Sequence, residues 1–368
     1  MRSCPQSRKL FGTLLFVGVV CSGLAMLLTA YLGLWASLEQ TWNTQIAHAF
    51  PFVVYPAVFL WVIALLIRHW WTLGVQTLFF VAALPALMHT FAFHPFSPRH
   101  GVASFTVMTY NADGFNEEDG KPVALLDYIR QEHPDIICFQ EFTVRPEQHG
   151  YSLETFIREL PEYPYYHFHP HHTTPLLSSS GTAVFSRYPI TRTEPVAYES
   201  RINSSCLYEL DVEGRPLTLI NNHLESNGLS DVDLHVLRSF FKLLRWEMKP
   251  LVDEIFNGKM RKAAVRRMEQ ARLVVEAASS AKSPVLICGD LNDTPLSPTM
   301  RFLRKSYRDA FPSAGFGLGA THRVARSGLR IDYFLHSPSL IASGYRTGKV
   351  YFSDHYPVMC TFRFRSTP

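Results

Sequence analysis

Apolar residues crowd the first quarter of the chain and then change rhythm. Three long runs come first, Leu10–Leu38, Pro51–Ile67 and Thr72–Phe93, with almost no charge inside them. A helix needs roughly 20 apolar residues to cross a bilayer core, with a range of about 17–25. The first and third runs meet that length easily and the second just does. Beyond His100 the apolar runs shorten to SFTVMTYN, DIICFQE, TAVFSRY, CLYELDV, LTLINNH, VLICGD, IDYFLHS and VMCTFRF. These are rich in β-branched and aromatic residues and bounded by turn formers, as strands are. Helical patterns at Pro122–Glu132 and Leu153–Leu160 fall between them, and strands alternating with helices predict an α/β domain. Residues 231–281 differ: a long, basic, largely helical stretch, read as two helices broken near Asn257–Gly258.

This pattern divides the chain into an anchor of about three transmembrane helices at 1–94, a linker at 95–103 containing Pro95, Ser97 and Pro98, and a domain at 104–368 with a helical insertion at 231–281. A cleaved signal peptide is the rival for the first run, because Arg2, Arg8 and Lys9 precede it. Its apolar core is longer than a usual h-region, however, and no small-x-small site closes it. Arg68, His69, Trp70 and Trp71 form an interfacial turn, while the loop Glu39–Phe50 has no Lys or Arg. The positive-inside rule then places the N-terminus in the cytoplasm and the domain on the periplasmic or extracytoplasmic side. A re-entrant second run would reverse that placement.

Composition adds limits. A formal charge of +4 and a pI near 8.7 suit a phosphorylated substrate or an anionic membrane surface without singling out nucleic acid. Six scattered cysteines make no disulfide framework. Cys138 and Cys288 lie in apolar runs as buried side chains, and Cys206 and Cys360 are left as a pair that could bridge. No GxxxxGK[ST] loop supports P-loop nucleotide binding and no GxSxG elbow is present.

The chemistry collects at strand ends. Asn111 and Asp113 close the first strand, on one face if that strand continues. Glu141 follows the second, His223 closes LTLINNH, Asp290 and Asn292 stand in GDLN, Asp332 opens IDYFLHS, and Asp354 and His355 precede the last strand. Each alone reads as a turn cap; together they imply one convergent site. Hard carboxylate and amide oxygens suit Mg²⁺, with Mn²⁺ as a substitute, better than zinc.

In this order the motifs TYNADG, FQE, NNHLE, GDLNDTP and SDHYPV resemble those of the endonuclease/exonuclease/phosphatase superfamily, from about Ser104 to Phe364. The resemblance implies a four-layer α/β sandwich, two packed mixed β-sheets with outer helices. It implies that Gln140–Glu141 is the metal-binding pair, Glu141 holding the metal with Asn111 and Asp113 beside it and Asp354 near a possible second site. Asp290 would orient or activate the attacking water, and Asn292 would hold the scissile phosphate. His223 and His355 would stabilise the pentacovalent transition state, His223 also contacting substrate, and Asp332 would orient His355. The implied activity is in-line hydrolysis of a phosphodiester: a lipid headgroup, a nucleic acid or a small molecule. Departures from the inositol polyphosphate phosphatase pattern (DTP after GDLN, and LRIDYFLHS without Cys-Asp-Arg) demote that branch. His223 resembles the DNase I and sphingomyelinase branches.

Three classes stay open: a membrane-anchored phosphodiesterase, an extracytoplasmic nuclease, and a non-catalytic module that docks an anionic ligand. The basic stretch from Lys242 to Arg272 is either a flap that meets anionic lipid or nucleic acid, or a solvated helix face. The run HFHPHH, with His167, His169, His171 and His172, reads as an exposed loop or as a transition-metal site.

Overall fold

The computed structural model describes residues 5–95, 104–115, 121–145, 152–173, 178–200, 202–243, 245–323 and 328–365. Ser97 and Pro98 of the expected linker lie outside them. The chain separates into two compact units, Met1–Phe91 with Pro295–Pro298 and Ala92–Thr294 with Thr299–Pro368.

The first unit is helical. Helix Pro5–Trp35 contains a 27-residue apolar stretch from Lys9. The second run is longer than its sequence pattern suggested, because helix Thr41–Ala47 leads into helix Phe50–Leu66 and the apolar stretch Trp42–Leu66 reaches 25 residues. The third is bent by 67° between Trp70–Ala82 and Leu84–Thr90. Pro85 opens the latter helix, and a proline cannot donate the hydrogen bond that would continue the preceding one. Among the described residues, two helices are therefore long and apolar enough to cross a membrane, or three if the bent pair is one span. Where these helices meet, Ser22 Oγ donates to Gln76 Oε1 at 3.3 Å and Tyr31 OH to the Ala82 carbonyl at 2.9 Å, so polar groups are tied inside the bundle.

The second unit is the sandwich. Its strands are β1 (Ala92–Phe93), β2 (Ser104–Asn111), β3 (Ile136–Val144), β4 (Tyr165–Thr173), β5 (Ser179–Ser186), β6 (Ile190–Pro195) and β7 (Ser205–Val212). They continue as β8 (Arg215–His223), β9 (Val285–Asp290), β10 (Arg308–Asp309), β11 (Phe316–Gly317), β12 (Asp332–His336), β13 (Leu340–Thr347) and β14 (Val358–Phe364). One six-stranded sheet has the order β13-β14-β2-β3-β5-β4 and the other β10-β12-β9-β8-β7-β6, while β1 and β11 pair separately. In each large sheet the central pair, β2 with β3 and β8 with β9, is parallel and the remaining pairs are antiparallel.

Alternating side chains explain the layers. Val107, Ile136, Cys138 and Val184 from one sheet pack with Tyr208, Leu219, Leu286 and Cys288 from the other. The opposite face of the first sheet is covered by Leu125, Ile129 and Phe156 of its helices, and that of the second by Ala271, Val274 and Met300. A strand buried on both faces reads as a continuous apolar run. Cys206 and Cys360 are both buried and free, so the bridge left open by the sequence is not formed.

The insertion does not break at Asn257–Gly258. Helix Lys249–Glu254 passes through a π-helical turn at Ile255–Met260 into helix Arg261–Ser279; a wider turn absorbs an extra residue without ending the helix. The interruption lies earlier, where helix Asp231–Leu243 gives way to a 3₁₀ turn at Trp246–Met248 and Pro250 starts the next helix. Several of its cations serve the fold. Lys259 pairs with Asp233 at 2.6 Å and Arg266 with Glu225 at 3.0 Å, and buried Arg267 donates to the Glu225 carbonyl at 2.6 Å.

Candidate active site

Pairing register brings the polar strand ends together. In the second sheet His223, the last residue of β8, lies beside Asp290, the last of β9, and Asp290 faces Asp332, the first of antiparallel β12. In the first sheet Asn111 ends β2 beside Gln140 of β3. Asn111 Nδ2 then joins the halves, donating to Glu141 Oε1 at 3.0 Å and to Asp290 Oδ2 at 3.1 Å. Ser353 Oγ secures Asn111 by donating to its carbonyl at 2.8 Å.

Two expectations change here. The first strand does not continue to Asp113: that residue has φ 47° and opens a 3₁₀ turn, its N–H donating to Asn111 Oδ1 at 3.1 Å. Asp113 is thus a turn residue beside the site and not a same-face neighbour on a strand. Nor does Gln140 stand with Glu141. Its side chain turns inward, where Nε2 donates to Asn221 Oδ1 at 2.7 Å and links the two sheets. The cause is a β-bulge, for the β3–β5 register slips between Phe139 and Phe142 and Glu141 takes φ 48°. A bulge of this kind re-aims one side chain, and it sends Glu141 toward the site.

The other groups surround Asp290. Asn292, with φ 52°, donates its N–H to Asp290 Oδ1 at 2.8 Å, and its Nδ2 reaches Asp290 Oδ2 at 3.3 Å and the Leu224 carbonyl at 2.9 Å. His355 approaches on the loop before β14. Its Nδ1 lies 2.9 Å from Asp332 Oδ2, which leaves Nε2 facing Asp290 Oδ2 at 3.7 Å. His223 Nε2 stands 3.5 Å from Glu141 Oε1 and 3.9 Å from Asp290 Oδ2. Asp354 is exposed and accepts from His322 Nε2 at 3.2 Å.

Burial sets the charge states. It pushes the Asp290 carboxyl above the usual carboxylate range and His223 below the ordinary histidine value. Burial also opposes a charge on His355, but the Asp332 and Asp290 carboxylates outweigh it and push this histidine up to about 10. At Asp354 partial burial works against ionisation, yet the His322 hydrogen bond and the His355 charge hold it down to about 2.

A divalent cation fits this donor set. Among the described residues, two triads have ligand atoms within 4.8 Å of one another, Asp290–Asp332–His355 and His322–Asp354–His355. In the first, the 2.9 Å Asp332–His355 bond already uses one pair of atoms, so that triad reads as a proton-handling group. Glu141 keeps a carboxylate at the solvent edge beside the Asn111 amide. His223 Nε2 and Asp332 Oδ1 are buried without a hydrogen-bond partner among the described residues, and such groups are commonly completed by a ligand or water.

His322 joins these residues from outside the sequence motifs. Its ring lies 4.6 Å from that of His355, and its backbone bridges to His355 and Leu329. Thr321 Oγ1 beside it accepts from the N–H groups of Ile331 and Asp332 at 3.0 and 3.1 Å. The nearest sequence signal was a polar ATHR stretch with no strand around it. The HFHPHH run is part of edge strand β4 and not a loop. His167 and His169 stack with centroids 6.5 Å apart, and the His172 side chain lies outside the described residues.

The sequence model of the endonuclease/exonuclease/phosphatase family matches residues 108–355, more than half of the chain. The chain belongs to this family. Members of the endonuclease/exonuclease/phosphatase family are typically hydrolytic phosphoesterases, generally dependent on a divalent metal, and include phosphodiesterases, nucleases and phosphatases. Comparison with curated proteins gives no match. Among solved structures, the fold is similar to an endonuclease/exonuclease/phosphatase from Beutenbergia cavernae, with TM-score 0.53, 20% identity, and 71% of this chain and 72% of that one covered. It is also similar to the human Nocturnin catalytic domain with bound sulfate anion, with TM-score 0.52, 18% identity and coverage of 73% and 98%. A third is D. rerio TDP2 complexed with single strand DNA product, with TM-score 0.50, 16% identity and coverage of 71% and 99%. At these identities the likeness is one of fold.

Proposed function

We propose that the chain is a membrane-anchored, divalent-metal-dependent phosphodiesterase in which water attacks phosphorus in line. The observation that carries this reading is the surrounding of Asp290: one buried carboxylate met by the amides of Asn111 and Asn292 and by the rings of His223 and His355. A carboxylate pushed up by burial is a better general base near neutral pH than an exposed one. Asp290 orients the water and takes its proton as the new P–O bond forms and the bond to the leaving oxygen breaks. Asn292 and His223 hold the phosphate. His355, kept protonated by Asp332, donates to the equatorial oxygens, whose charge grows in the transition state. Glu141 with Asn111 would hold Mg²⁺, for which Mn²⁺ could substitute, with Asp113 and Asp354 at its margins; when bound, the ion polarises a phosphoryl oxygen and offsets developing charge.

With the bent pair counted as one span, the apolar helices number three, and the positive-inside rule then favours an extracytoplasmic domain. A C-terminal alkaline phosphatase fusion tests this: an inactive fusion overturns that placement.

The chemical reading is tested on the purified full chain in detergent, with Mg²⁺, Mn²⁺ or EDTA. Substrates are bis-p-nitrophenyl phosphate, plasmid and single-stranded DNA, sphingomyelin and inositol phosphates. Turnover that needs metal and vanishes in His355→Ala is the expected result. DNA as the preferred substrate would select the nuclease reading, which the single-strand DNA product in the TDP2 structure favours. Turnover unchanged by EDTA and by His355→Ala would overturn the mechanism, and no turnover on any substrate moves weight to the docking module.

A further inference from the structure

The insertion between β8 and β9 carries apolar side chains that nothing among the described residues covers. Phe241, Leu243, Trp246 and Leu251 are 56%, 61%, 66% and 48% exposed. They occupy the end of helix Asp231–Leu243, the 3₁₀ turn and the start of helix Lys249–Glu254. The two aromatic members are rooted in the fold. Phe241 and Trp246 both touch buried Phe240, with centroids at 4.9 and 5.2 Å, and Phe241 stacks on buried Phe256 at 6.4 Å. Their exposure is thus built in by an aromatic base that holds them outward.

Cations are interleaved with this edge. Arg238, Lys242, Arg245 and Lys249 alternate with the apolar residues, and Glu247 is the one carboxylate between Arg238 and Lys249. Arg238 and Lys242 make no ion pair among the described residues, whereas Arg245 pairs with Glu247 at 3.8 Å and Lys249 with Asp253, as Lys259, Arg266 and Arg267 pair farther along the insertion. Apolar tips between long cationic stems match the boundary of an anionic bilayer, where tryptophan sits at headgroup level and Lys and Arg stems lie along the apolar surface. A second copy of the chain fits poorly, because an isologous contact would set this cationic edge against itself. Nucleic acid would leave the aliphatic Leu243 and Leu251 without a role.

We propose that Phe241, Leu243, Trp246 and Leu251, with Arg238, Lys242, Arg245 and Lys249 among them, dock onto the surface of an anionic bilayer, the one that the N-terminal helices cross. This rests on the membrane-anchored reading above. The chain then meets its membrane twice, and the second contact is effectively intramolecular, so modest intrinsic affinity suffices.

Tryptophan fluorescence tests the proposal. Trp246 is the one tryptophan after Trp71, so wild type minus Trp246→Phe isolates its signal, and phenylalanine keeps an aromatic contact with Phe240. The full chain is reconstituted into vesicles of brominated phosphatidylcholine, with or without phosphatidylglycerol. The expected result is bromolipid quenching of the Trp246 signal in anionic vesicles, weakened without phosphatidylglycerol and in a Lys242→Gln/Arg245→Gln variant. Quenching by aqueous iodide alone overturns the proposal. Shielding from both quenchers also overturns it, pointing to a protein surface or a second copy. Trp35, Trp42, Trp61, Trp70 and Trp71 are the internal control. If they are quenched and Trp246 is not, docking fails while the anchor stands; if none is quenched, the anchored reading falls and docking with it.

Discussion

The two sheets share a plan but bring opposite environments to the site. Each has a parallel pair at its centre flanked by antiparallel strands. The first sheet delivers Glu141, whose side chain is 39% exposed, whereas the second delivers His223, Asp290 and Asp332, all buried. One half offers a hard oxygen at the edge of water, where a hydrated cation can arrive. The other offers carboxylates and imidazoles in a dry enclosure, where proton affinities move far from their solution values. Asn111 belongs to the first sheet but bonds to both halves. Packing the strand ends of the two sheets together brings both environments within a few ångströms.

The contrast can be broken most sharply by substituting one carboxylate from each half. Asp290→Asn should lower kcat by about 10²–10⁴-fold, as expected for loss of a general base, and added Mg²⁺ should restore nothing. Glu141→Gln should instead raise the Mg²⁺ concentration for half-maximal rate, on the order of tenfold or more, with excess metal recovering much of the rate. Equal rescue of both variants, read from metal titrations, would erase the distinction.

A finer test concerns the dry half alone. With His355 held up to about 10, the pH–rate profile should keep its activity through neutrality and fall on the alkaline side near that value. Asp332→Asn removes the nearer negative charge, so the alkaline limb should move down toward the ordinary histidine value. Stability follows the same sign. A raised folded pKa contributes stability fully present below the unfolded value of about 6.5 and lost as pH climbs through about 10. An alkaline limb that stays in place in Asp332→Asn would refute the pair's role.

The smallest effect is expected at the rim. His322→Ala removes the partner of Asp354 and should reduce kcat/KM by about tenfold, with kcat little altered. A loss as large as that of Asp290→Asn would move His322 into the reacting centre.

Why some of this was legible in sequence and some was not follows from burial. The eight strands anticipated from apolar runs include every inner strand of both sheets, where two covered faces force the pattern. All four edge strands, β4, β6, β10 and β13, escaped notice. β6 is mostly exposed along its length, and a strand covered on one side or neither carries no continuous apolar signal. The same holds at the site. Asn111, His223, Asp290, Asn292, Asp332 and His355 follow or precede strong apolar strands, and the structure brings them together. His322 sits on an irregular segment whose only tie to the others is spatial. The inward turn of Gln140 depended on a bulge, and a bulge is set by partner register, which one strand read alone does not reveal.

Glu141 carries a further consequence. A left-handed backbone at a residue with a Cβ costs about 1–2 kcal/mol that glycine would not incur, and the proposed metal ligand has φ 48°. Selection for thermal tolerance and selection for turnover therefore pull this position apart. A library ranked on heat resistance alone would drift to glycine at 141 and discard the carboxylate, so any campaign to harden the protein should hold that codon fixed.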